Sequence, residues 1–179
     1  MAASSSGRPH RPSGMRAFSA VGVEPRVVYA KLGRLITAAN HGLLRSAFTG
    51  EAIAILVSRS LSVTDERRER VGPNRVFLGV TLEDGTLVGD FHVTGGEVAE
   101  EQFRTVVGVA GDGPTILAGD VNLRPPYDLV GFSEPLAGSI DQILVRGLPS
   151  TAPVAWPTER RRVDGRLLSD HAPVEATVG

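Results

Sequence analysis

A chain of 179 residues with 41% apolar content is long enough for one domain with a real core and too short for two ordinary ones. Its net charge of −1 excludes a global electrostatic pull toward nucleic acid, so a polynucleotide partner would need a local basic patch. With no cysteine there is no disulfide, thiolate zinc site or cysteine nucleophile, and no run of about 18 apolar residues is present to span a membrane.

Met1 to Gly14 is Ala, Ser, Gly, Pro, Arg and His without periodicity, and it lacks the apolar stretch of a secretory signal. Residues 1–16 are therefore expected to be a disordered tail, residues 17–179 one domain, and the setting cytoplasmic. Phe18 to Val23 reads as a short strand ending at Glu24-Pro25. Pro25 suits a first helical turn, and Val28, Leu32, Leu35, Ile36 and Ala39 recur behind it at helical spacing until Asn40-His41-Gly42 stops the run. Ala52 to Val57 is a continuous apolar run, expected as a buried strand, and Thr64 to Arg70 a charged, solvated connection.

Val76 to Leu82 alternates as a strand, Asp84-Gly85 marks a hairpin, and the return strand Leu87 to Val93 carries Asp90 and His92 on one face. Thr94 and Glu97 fit a capping box, opening a helix with Ala99, Phe103, Val106, Val107 and Ala110 on its apolar side. After the breaker Asp112-Gly113-Pro114, the run Thr115 to Ala118 is strand-like and ends in Gly119-Asp120-Val121-Asn122. Leu123 to Tyr127 cannot be regular. Ile140 to Val145 is a strand with Asp141 near its start, and Pro149 to Pro157 is a loop holding Trp156. Val174 to Val178 closes the chain as a last strand. Strands outnumber helices, and hairpins and crossovers both occur, so the fold class is α/β or α+β with a mixed sheet.

Polar residues gather at the ends of apolar strands, where open α/β sites are built. Asp120 and Asn122, one residue apart, project from the same face and make a clamp for a metal, a water or a phosphate oxygen; Gly-Asp-x-Asn also reads as a plain turn. Asp141 is suited to hold His171 in one tautomer so that the imidazole takes a proton from water. Asp170 offers oxygen to a hard cation such as magnesium, and Asn122 and His92 can bind or protonate phosphoryl oxygens. Each has a plainer reading: His92 as a satisfied strand histidine, Asp141 as a turn cap, Ser169-Asp170-His171 as a polar turn, Arg160 to Arg162 as a solvated loop. His10 and His41 are assigned no role.

Taken in order, Gly89-Asp90-Phe91-His92-Val93, Gly119-Asp120-Val121-Asn122, Ser139-Ile140-Asp141-Gln142-Ile143 and Ser169-Asp170-His171-Ala172-Pro173-Val174 resemble the endonuclease/exonuclease/phosphatase, or DNase I-like, superfamily. The resemblance covers roughly Ala52 to the end. It implies two packed, mostly antiparallel or mixed sheets flanked by helices, a four-layer α/β/β/α sandwich with the site at one rim. It implies His171 as base or transition-state stabiliser paired with Asp141, Asp120 and Asn122 at the nucleophile and phosphate, and His92 as a second phosphate-contacting or acid histidine. It also implies Asp170 near a magnesium or manganese ion. The substrate class is then a phosphoester, nucleic acid among the candidates.

The departures are specific. The family's first strand has no counterpart, as if the chain were shortened at its N-terminus, and the metal-binding Glu of the second is best matched by Glu24, preceded by Val23 rather than Gln. Glu51 is a weaker match. Asp90-Phe91 replaces the usual Asn-Thr before the histidine. Two functions are therefore expected to compete: a metal-dependent phosphoester hydrolase, and an inactive or truncated member acting as a binding domain.

Overall fold

The computed structural model describes residues 14–23, 51–127, 129, 131–167 and 169–179; Glu24 and the helix expected behind Pro25 lie outside them. Two strands, β1 (Met15–Val23) and β2 (Glu51–Ser58), pair antiparallel into a small sheet. The larger sheet has five strands in the order β3 (Val63–Gly72), β4 (Arg75–Leu82), β5 (Leu87–His92), β6 (Thr115–Asp120) and β7 (Asp141–Arg146). All neighbours run antiparallel except β5 and β6, which are parallel and joined through helix α1 (Ala99–Ala110). A parallel pair needs such a crossover, whereas the β4–β5 pair needs only the Asp84-Gly85 turn, where Gly85 takes φ +85°.

Alternation along the strands sorts the side chains into two cores. Phe77, Phe91, Leu117 and Leu144 face α1 and pack with Phe103, Val106 and Ala110. Leu78 and Val80 face the small sheet and pack with Ala20, Ile55 and Val57. Asp90, register partner of Leu78, points with them, and its Oδ2 accepts the Ala54 backbone N–H at 3.1 Å. Among the described residues the layers are thus helix, five-stranded sheet and two-stranded sheet, an α/β sandwich. No described helix is long and apolar enough to cross a membrane.

Several local expectations are corrected. The charged stretch Thr64 to Arg70 is not a connection but the body of edge strand β3, where charges facing solvent discourage pairing with another chain. The run Ala52 to Val57 is buried on one side only: Ile55 and Val57 face the core while Ala52, Ala54 and Leu56 are exposed, because β2 sits in an outer sheet. The capping box does not form; Val98 is the N-cap without a side-chain bond, and the Thr94 N–H donates instead to Gln102 Oε1 at 2.8 Å. The last strand shrinks to β11 (Val174–Glu175), paired with β8 (Val154–Ala155); a hairpin of β9 (Arg162–Val163) and β10 (Arg166–Leu167) lies between them in sequence.

Candidate active site at the strand rim

Register alone brings three ionisable groups together. His92 pairs with Asp120 across β5–β6, and Asp120 pairs with Asp141 across β6–β7, so the three stand side by side at one rim. His92 Nε2 lies 3.4 Å from Asp120 Oδ2. The other oxygen of Asp120 accepts the Asn122 backbone N–H at 2.8 Å, an Asx turn that folds the chain over the strand end. Asn122 takes a left-handed φ of 51°, a conformation asparagine tolerates better than most residues, and its Nδ2 donates to the Val93 carbonyl at 2.8 Å. The approach of β5 and β6 below this turn requires Gly119, where a Cβ would fall 2.1 Å from the Phe91 carbonyl oxygen. Burial raises the pKa of Asp120; the Asn122 N–H and both imidazoles oppose that shift, and the Asp141 carboxylate adds to it.

His171 reaches the rim from a loop. Its Nδ1 sits 2.9 and 3.0 Å from the two oxygens of Asp141, and its backbone N–H donates to Ser169 Oγ at 3.0 Å. The hydrogen bond to Asp141 raises the His171 pKa above the usual imidazole value, with the negative charges of Asp141, Asp120 and Asp170 reinforcing it against partial burial. The loop is anchored by the Trp156 N–H donating to the Pro173 carbonyl at 2.8 Å and by the short β8–β11 pair.

Two residues to which the sequence reading gave no role complete the frame. Gln142, 2% exposed, accepts the Leu136 N–H at 2.7 Å and donates to the Leu136 and Ser139 carbonyls at 3.0 and 2.8 Å, fixing the loop that leads into Asp141. A glutamine inside a strand's inward face was the available signal, since a buried amide must find partners. Arg124, two residues past Asn122, donates from Nη1 to the Gly138 carbonyl at 2.8 Å.

The His171–Asp141 pair forms a wall shared by two open clefts. One of about 360 Å³ is bordered by Asp120 and Pro173. The other, about 430 Å³, is bordered by Arg124, Ser139 and Asp170. Ligand atoms of Asp120, Asp141 and His171 lie within 4.8 Å of one another. Two adjacent carboxylates suit a divalent cation, which offsets the cost that the Asp141 charge adds to ionising Asp120. Asp170 is exposed and stands in the second cleft beside His171, outside that trio; Glu24 falls outside the described residues. The structure therefore gathers His92, Asp120, Asn122 and Asp141 on the strand ends and adds Asp170 and His171 from the loop.

No family model matches the sequence, and no curated protein matches it. Solved structures do share the architecture. TDP2 from Caenorhabditis elegans aligns with TM-score 0.52 at 13% identity, over 91% of this chain and 74% of its own. The human Nocturnin catalytic domain, solved with a bound sulfate anion, aligns with TM-score 0.58 at 13% identity, over 93% of this chain and 73% of its own. An endonuclease/exonuclease/phosphatase from Beutenbergia cavernae aligns with TM-score 0.50 at 17% identity, over 71% of this chain and 46% of its own. At these identities the likeness shows the fold alone: the chain has the DNase I-like α/β sandwich that these structures share. It spans about three quarters of the first two chains and less than half of the third.

Proposed function

We propose that this chain hydrolyses phosphoesters as a phosphodiesterase or nuclease-like enzyme dependent on magnesium or manganese. The observation that carries the reading is the His171–Asp141 pair at 2.9 Å standing over Asp120 at the same rim. The fold supports it, and so does the sulfate held by the Nocturnin domain, a tetrahedral anion of phosphate's shape.

In this reading Asp120 is the base. Its Oδ1 is engaged by the Asn122 N–H, and its Oδ2, 3.4 Å from His92 Nε2, accepts a proton as water attacks phosphorus in line. A raised pKa makes that carboxylate a stronger base than an exposed one. Asp141 accepts the Nδ1–H of His171 and so turns Nε2 toward the substrate. Protonated, Nε2–H donates to a phosphoryl oxygen and stabilises charge that develops in the transition state. The water O–P bond forms, the ester P–O bond breaks, and in this reading His92 contacts the phosphoryl group or gives the leaving oxygen its proton. Asn122 shapes the turn and lies at the phosphate. When bound, a divalent cation supplies positive charge to the phosphoryl oxygens. Asp170 and Glu24 would hold it in this reading, with Asp120 and Asp141, the carboxylates that the rim brings together, beside it.

The test is hydrolysis of bis-p-nitrophenyl phosphate and plasmid DNA by the full chain with magnesium or manganese, beside a chelated control. Turnover that disappears on chelation is expected. Turnover indifferent to chelation would remove the metal from the mechanism. Absent turnover combined with a magnesium-dependent rise in melting temperature would make the chain a binding domain, since a ligand that binds only the native state stabilises it.

A further inference from the structure

Helix α1 and the loop after Asn122 enclose a groove of about 500 Å³ that the proposed chemistry does not use. Its walls are Phe103, Val107, Leu123, Pro126, Tyr127 and Leu129. The Phe103 and Tyr127 rings meet edge to face with centroids 5.4 Å apart, and Phe103 also stacks on Phe91 at 5.8 Å. The rings are therefore fixed by packing, a preformed surface rather than one that a ligand must organise.

Arg124 joins this groove to the rim. The same side chain borders the groove and the cleft that holds Asp141, Asp170 and His171. Among the described residues its only hydrogen bond is to the Gly138 carbonyl, so most of its N–H donors are unspent. Arg104 on the opposite lip is already paired with Glu100 at 2.8 Å. The unspent cation is thus the one at the junction, where a phosphoryl group held at the rim would meet it.

We infer that the groove is a substrate subsite for an aromatic ring joined to the phosphoryl group, with Arg124 spanning ring and phosphate. The inference rests on the phosphoester reading above and narrows its substrates to aryl-bearing esters. Ring walls and a guanidinium favour a flat π system over an alkyl chain, because edge-to-face and cation–π contacts add to simple burial.

The experiment measures binding of three phosphonates that cannot be hydrolysed: 4-nitrophenylphosphonate, hexylphosphonate and methylphosphonate, by calorimetry on the full chain with manganese. The ring compound is expected to bind about ten-fold tighter than the methyl one, as partial burial of a ring allows, and tighter than the hexyl one. Val107→Trp, which fills the groove, should erase that preference and leave methylphosphonate binding unchanged; Leu129→Trp on the other wall serves if the first variant does not fold. Equal binding of the ring and methyl compounds, or a preference that survives both variants, would overturn the subsite alone. Tighter binding of the hexyl compound would overturn the ring assignment. Binding of none of the three would overturn the phosphoryl site itself and the subsite with it.

Discussion

The rim has two halves of different construction. His92, Asp120 and Asp141 are register partners on three adjacent strands, fixed by backbone pairing and by a glycine that lets β5 and β6 approach. Asp170 and His171 stand on an exposed loop held by a serine, a two-residue strand pair and the hydrogen bond to Asp141 itself. The strand half is built with the core and cannot change without it. The loop half is exposed and held by few contacts, so it can be altered with little effect on folding. Structure and chemistry should therefore separate in one half and stay coupled in the other.

The largest expected effect breaks the loop half. His171→Ala should lower kcat by about 10²–10⁴, the range for losing a positioned acid–base group. Its side chain is 43% exposed, so stability in urea should move by less than about 1 kcal/mol. A large loss of stability in that variant would erase the distinction between the halves.

Gly119→Ala breaks the strand half. The new methyl meets a backbone carbonyl that cannot swing away, so the β5–β6 pairing must open. Urea denaturation should show a loss of about 3 kcal/mol, the upper part of the overpacking range, with activity falling alongside. Wild-type stability with lost activity would show that the strands yield more easily than their register suggests.

Asp90→Asn sharpens the comparison from beneath the rim. Burial pushes the Asp90 carboxyl up to about 6, against an unfolded value near 3.8. The folded protein thus holds this proton more tightly than the unfolded chain. The associated stability is present below pH 3.8 and is lost as pH rises through about 6. Asparagine keeps an oxygen for the Ala54 N–H and carries no charge. The variant should be more stable than wild type at pH 8 by on the order of 1–2 kcal/mol, with the two converging near pH 4 in thermal melts. A variant less stable at both pH values would show that the charge itself holds the small sheet.

The strand half was legible in the sequence because its signals are local. Apolar runs ending in Gly119-Asp120-Val121-Asn122 and in Asp141 mark strand ends, and alternation gives the faces. Register was not legible: only the pairing shows that His92, Asp120 and Asp141 align. The charges of β3 hid a strand because an edge position makes polarity an advantage. Thr94 and Glu97 matched a cap, yet tertiary packing brought Gln102 to the Thr94 N–H instead. Gln142, inside a motif but given no role, and Arg124, outside the motifs, were missed because their partners at 136–139 become neighbours only once the loop folds back. Asp90 read as a departure from a family motif; its tie to the Ala54 N–H depends on the second sheet.

The most direct test of the proposed mechanism is the pH dependence of kcat/KM for bis-p-nitrophenyl phosphate, wild type beside Asp141→Asn. Asp120 must be ionised, so activity should fail on the acid side at a pH above the ordinary carboxylate range. His171 must be protonated, so activity should fail on the alkaline side above the ordinary imidazole range. Removing the Asp141 charge takes away the main cause of the raised His171 pKa, so the alkaline limb should move to lower pH; the acid limb should move down by less, because burial rather than Asp141 is the main cause of the raised Asp120 pKa. An alkaline limb that does not move would contradict the His171–Asp141 pair as the centre of the chemistry.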